Sequence, residues 1–146
     1  MNNQEQAIGL HALSKQVKNA LREQFLLPIW IIAEINQLTR HRSGHMYLEL
    51  IEKDQQTESI KASVRATIWS SALHRIAAFF QTSTGEDLQE GMSVLLKVQV
   101  DYHELYGFSI NIRDIDPSYT LGDLARKKAE ILKRLADDGV LDMNQE

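Results

Sequence analysis

The chain has 146 residues, 43% of them hydrophobic and 25% charged, which suits one domain with its own core. The absence of cysteine excludes disulfides, thiolate chemistry and cysteine zinc sites. A formal net charge of −4 argues against a generic polyanion binder, because phosphate affinity comes mainly from Lys and Arg, but it leaves room for a local basic patch.

Residues 1–8 are polar and expected to fray. They hold neither a basic start nor an apolar signal core, and no apolar run approaches a membrane span, so a cytoplasmic chain with no membrane contact is expected. From Gly9 to Phe25, Leu10, Leu13, Val17, Ala20 and Leu21 recur at helical spacing, opposite Lys15, Lys18 and Arg22. This predicts a helix, within residues 9–27, laid on an open end of a sheet. Pro28 ends it and opens the sheet region, residues 28–117.

The first strand alternates Ile29, Ile31, Ala33 and Ile35, which suit a core, with Trp30, Ile32, Glu34 and Asn36. A basic turn follows, Arg40-His41-Arg42-Ser43-Gly44-His45. The second strand sets Met46, Leu48 and Leu50 inward and His45, Tyr47 and Glu49 outward. The outer face of this pair thus carries Asn36, His45, Tyr47 and Glu49 beside Arg40 and Arg42.

A polar loop, EKDQQTES, leads to a third strand, Ser59 to Trp69, with Val64, Ala66 and Ile68 on one face and Arg65, Thr67 and Trp69 on the other. Ser70 is a candidate N-cap for a helix through Phe80, in which Leu73, Ile76, Ala77 and Phe80 fall at helical spacing. After the turn-rich QTSTGEDLQEG, Val94 to Tyr102 forms a fourth strand with Val94, Leu96, Val98 and Val100 inward. The hairpin Tyr102–Gly107 precedes a fifth strand, in which Phe108, Ile110 and Ile112 face the core and Ile115 rejoins it. Thr120 with Asp123 has the pattern of a capping pair, heading a helix from Leu121 to about Asp138 that Gly139 stops, within residues 118–146. Helix, three strands, helix, two strands, helix is the order of a mainly β fold with flanking helices, the five-stranded Greek-key barrel called the OB-fold.

Catalytic chemistry finds little support. His41 and His45 have the spacing of a helical metal pair, but Ser43-Gly44 between them makes a turn, where that spacing does not align them. Asp114 and Asp116 flank Ile115 at a strand end, yet no lysine has Asp or Glu two positions before it, so the E-x-K element of many metal nucleases is missing. There is no phosphate-cradling G-K-[ST] loop. No catalytic residue, metal or cofactor is expected.

Binding is better supported. Strands two and three and the hairpin loops are where OB-folds take up oligonucleotides, and they hold Asn36, Arg40, Arg42, Ser43, His45, Tyr47, Arg65, Trp69, Tyr102 and Tyr106. Each has a plainer alternative. Tyr47 and Trp69 suit covering a flanking helix, the arginines suit solvated turns, and Tyr102 and Tyr106 suit cross-strand packing.

The segment Trp30-Ile-Ile-Ala-Glu-Ile-Asn-Gln-Leu with Ser43-Gly-His-Met-Tyr-Leu-Glu-Leu resembles the N-terminal OB-fold domain of the exonuclease VII large subunit, where W-V-x-G-E-I-S-N-L precedes S-G-H-x-Y-F-x-L. The resemblance continues through Val64-Arg-Ala-Thr-Ile-Trp, Gly91-Met-Ser-Val-Leu-Leu-Lys-Val and Tyr102 to Gly107. It ends in Leu132-Lys-Arg-Leu-Ala-Asp-Asp-Gly-Val-Leu-Asp, similar to the family's K-x-x-L-x-x-E-G-L-F-D. Ala33 stands for the usual glycine, Asn36-Gln37 for the usual Ser-Asn, and the loop from Glu52 to Ser63 is longer. The resemblance implies a domain that binds single-stranded DNA and feeds a metal-independent exonuclease. It also implies that the catalytic domain and the region binding the small subunits lie in parts this sequence lacks. An OB-fold that docks a partner protein on the same face is the competing expectation.

Overall fold

The computed structural model describes residues 2–138. Within the polar start, Asn3–Gln6 makes one helical turn (α1), capped by Asn2 Oδ1, which accepts from Gln4 N at 2.9 Å. There follow α2 (Leu10–Gln24), β1 (Ile29–Arg40), β2 (Met46–Lys53), β3 (Ile60–Ile68), α3 (Ser70–Thr84), β4 (Ser93–His103), β5 (Gly107–Asp116) and α4 (Pro117–Asp137). The strands close into a barrel in the order β1-β2-β3-β5-β4, as the element order predicts.

β1 makes closure possible. Its first half pairs antiparallel with β4, from Ile29↔Val98 to Glu34↔Ser93. Its second half pairs antiparallel with β2, up to Arg40↔Met46. The register slips between Ile35 and Gln37, so Asn36 is a bulge, and a bulge bends and twists a strand. At the bend, Ile35 N donates to Met92 O and Gly91 N to Ile35 O. The last seam joins β3 and β5 in parallel over two positions, Ala66↔Ile110 and Thr67↔Asn111.

The inward alternation of the strands meets one core, which includes Ile35, Leu50, Ile68, Val94, Leu96, Val98 and Ile112. It lapses at two strand ends, where Ile29 is 39% and Phe108 49% exposed against expectation. α3 closes one end of it with Leu73, Ile76 and Phe80. Phe80 is wholly buried, which stabilises the fold by about 1.5–3 kcal/mol.

Three local expectations are corrected. The N-cap of α3 is Trp69, not Ser70, and its side chain makes no capping bond. The cap of α4 is Asp116, whose Oδ1 accepts from Ser118 N at 3.0 Å, with Pro117 as the first helical residue. A carboxylate before a proline is a better start than Thr120, whose hydroxyl is buried and donates to Ser93 O at 2.9 Å. Asp123 pairs with Arg126 and Lys127 instead of capping. In α2 most of the stripe expected to face the sheet is out in solvent, Leu10 being 78% exposed and Leu13 48%, and only Leu21 of it is half-buried. The helix is rolled by about one position, so Ser14, Lys18, Leu21 and Phe25 face inward. Lys18 Nζ meets Glu104 at 3.1 Å and Gln99 Nε2 donates to Phe25 O at 3.0 Å, which fixes that rotation. The expected helix stop at Gly139 lies outside the described residues.

Candidate nucleic-acid interface

The turn between β1 and β2 is built from its own side chains. Gly44 N donates to His41 O at 3.0 Å and His41 N to His45 O at 2.9 Å, which leaves a three-residue loop, Arg42–Gly44. Such loops end in a left-handed residue, and Gly44 has φ +90°. Ser43 Oγ lies 3.0 Å from His41 Nδ1 and accepts weakly from His45 N at 3.4 Å, so Ser43 serves the turn.

Beyond the turn the strand register lays out the outer face. Thr39, Tyr47, Thr67 and Asn111 are paired in sequence across β1, β2, β3 and β5. The next row is Gln37, Glu49 and Arg65. Directly opposed residues share a face. Asn36, on the bulge, donates through Nδ2 to Glu49 Oε1 at 3.0 Å, so its amide is engaged at the edge of this face.

A concavity of about 420 Å³ opens over these rows. Tyr47, Trp69 and Tyr106 are its aromatic walls, 41%, 45% and 67% exposed. Arg65 also lines it and donates to the Tyr106 carbonyl. The rings are ordered among themselves. His45 meets Trp69 edge-on with centroids 4.8 Å apart and Tyr47 at 6.4 Å. His41 meets Tyr47 at 5.7 Å, and His103 stacks on Tyr106 at 4.7 Å. Trp69 and Tyr47 thus stand partly open to solvent beside hydrogen-bonding groups.

The predicted set divides. Tyr47, Arg65, Trp69 and Tyr106 line one concavity, with His45 behind two of its walls. Arg42 is exposed in the adjoining turn. Arg40 is elsewhere. The bulge shifts the alternation by one residue, so Arg40 pairs with the inward Met46 and lines a groove against α3 with Ser70, His74 and Asp87. Tyr102 shares the parity of Val100, opposite Phe108, away from the concavity. Sequence reasoning passed over Asp101, His103, Ser109 and Asn111, which line the far wall. Their outward parity was the available signal, since β4 and β5 have Val100 and Ile110 inward.

The carboxylates at the end of β5 are engaged in structure. Asp114 pairs with Arg75 at 3.4 Å and Asp116 caps α4.

A closed five-stranded barrel with an aromatic-walled, arginine-bearing concavity on β2 and β3 is an OB-fold of the nucleic-acid-binding class. Residues 8–116 match the OB-fold nucleic acid binding domain family, and the chain belongs to it. It also resembles exodeoxyribonuclease 7 large subunits. That of Deinococcus radiodurans is 36% identical over 121 residues, 80% of this chain and 29% of the relative. That of Tolumonas auensis is 33% identical over 129 residues, 86% of this chain and 25% of the relative. The chain thus spans less than a third of the length of these relatives. Among solved structures, a mitochondrial single-stranded DNA binding protein of S. cerevisiae aligns with TM-score 0.44 at 14% identity, over 61% of this chain and 90% of that one.

Proposed function

We propose that this chain is a single-stranded DNA-binding module that presents substrate to the catalytic part of an exodeoxyribonuclease VII large subunit in the cytoplasm. The observation that carries this reading is the concavity itself, with Tyr47, Trp69 and Tyr106 open to solvent around Arg65. Unpaired bases stack on exposed rings and the phosphate chain follows nearby cations, a combination that duplex DNA cannot use. The similarity to exodeoxyribonuclease 7 large subunits supports the wider assignment. Catalysis and the binding of small subunits belong, on this reading, to regions outside this sequence, so the chain itself leaves DNA intact.

Titration of labelled single-stranded and duplex oligonucleotides by fluorescence anisotropy tests this. Stacking is worth about 1–3 kcal/mol per base, so Tyr47→Ala weakens single-strand binding by roughly 5- to 150-fold. A lost phosphate contact at Arg42 flattens the log–log salt slope by about 0.7, while Arg40→Ala, in its separate groove, leaves the slope unchanged. Absence of binding by the parent at low salt overturns the reading.

A second reading has its own observation. Leu10, Leu13 and Val17 form an exposed apolar stripe on α2, which suits a protein partner. Partner binding there predicts an affinity that salt barely changes, because the contact is apolar.

A further inference from the structure

We infer that His45 is a positioning residue that pre-sets Trp69 and Tyr47 for stacking while tying β2 to α3. The inference rests on the single-stranded DNA reading above.

Trp69 is the N-cap of α3 and offers no capping side chain, so the first helical N–H groups look for acceptors elsewhere. Trp69 O serves Ala72 N and Leu73 N, both at 2.9 Å. Ser70 N donates instead to His45 Nδ1, at 2.8 Å, across 25 residues of sequence. An imidazole that accepts at Nδ1 carries its proton at Nε2, and the bond fixes the plane of the ring. That plane brings the ring edge-on to Trp69, 4.8 Å between centroids at 84°, and to Tyr47 at 6.4 Å and 78°. Edge-to-face is the favoured arrangement of aromatic rings. The one side chain thus has two separable jobs. Its Nδ1 holds the start of α3, and its ring limits how Trp69 and Tyr47 can turn. Walls held in place lose less freedom when a base arrives, so binding is tighter.

Two substitutions split the jobs. Asn Oδ1 stands close to where His Nδ1 does, so His45→Asn keeps the acceptor and removes the ring. His45→Phe keeps a ring and removes the acceptor. Trp30 and Trp69 are the two tryptophans, so a Trp30→Phe background makes emission report on Trp69 alone. In that background His45→Asn should melt within about 2 °C of its parent, and His45→Phe about 2–5 °C below it. Acrylamide quenching of Trp69 should rise in His45→Asn and stay near the parent in His45→Phe. Single-strand affinity should fall about 2- to 10-fold in His45→Asn with an unchanged salt slope. Parental quenching and affinity in His45→Asn overturn the inference, as does equal disturbance of Trp69 by both variants. If the parent binds no DNA, the proposed function fails, while the contrast between melting and quenching still decides the role of His45.

Discussion

Gly44 shows how one residue can be constrained twice. Its φ of +90° lies where a side chain is strained, and a Cβ there would come 3.1 Å from Ser70 Cβ. Gly85 has φ +79° at the end of α3 but nothing within 4 Å. The two positions therefore separate conformation from contact. Gly85→Ala should lower stability by about 1–2 kcal/mol, the cost of a left-handed conformation. Gly44→Ala should cost more, since β2 and α3 must also part, and urea unfolding of both variants measures the difference. Equal losses would mean that the approach to Ser70 is slack. Thr120 makes a related point. The residue is 1% exposed and its hydroxyl donates to Ser93 O, so Thr120→Val should cost about 1–3 kcal/mol by taking that bond from the carbonyl. The sequence pattern at Thr120 and Asp123 suits a cap, and only the position of Ser93 in space gives the threonine its other task.

At the scale of elements, alternation was legible wherever pairing stayed regular. Ile31 to Ile35, Met46 to Leu50 and Val94 to Val98 face as their spacing predicts, because one buried face specifies register. It failed at Asn36, where the chain has neither glycine nor proline to mark a bulge, and everything after it on β1 turned over. Tyr47 and Arg65 face outward as their spacing predicts, whereas Arg40, expected in the turn beside that face, lies in β1 opposite the inward Met46. The rotation of α2 departs from its sequence pattern for a different reason. Helical spacing finds an apolar stripe, but Lys18 and Glu104 decide which stripe faces the barrel. The Glu104 carboxyl is held below the ordinary glutamate range by a bond to its own backbone N–H and then by Lys18. A lowered pKa means stability that is present above the ordinary value and lost as pH falls through the lowered one. The parent should therefore melt above Glu104→Gln at neutral pH, and the gap should close below the ordinary glutamate range. Parallel melting curves from pH 7 to pH 3 check this, and a gap that persists at the acid end would remove Lys18–Glu104 as the anchor of α2.

For the whole molecule, closure gives every strand two neighbours, but the joins are unequal. β4 and β5 pair along nearly their full length, whereas β3 meets β5 at only Ala66↔Ile110 and Thr67↔Asn111. Local opening follows the weakest set of contacts. Amide exchange should accordingly be faster at this join than in the middle of the β2–β3 ladder, and uniform protection around the barrel would contradict it. The concavity is lined from both sides of this join, by Ala66 and Thr67 on β3 and by Ser109 and Asn111 on β5. On the proposed function, an oligonucleotide seated there would lie across the gap like a strap over a clasp. Gripping and holding shut become a single equilibrium, and at a ligand concentration of about 100 times Kd the strap adds roughly 2.7 kcal/mol against opening. The reverse follows by necessity. A change that springs the clasp from behind, with no atom near the DNA, loosens the grip by the same factor.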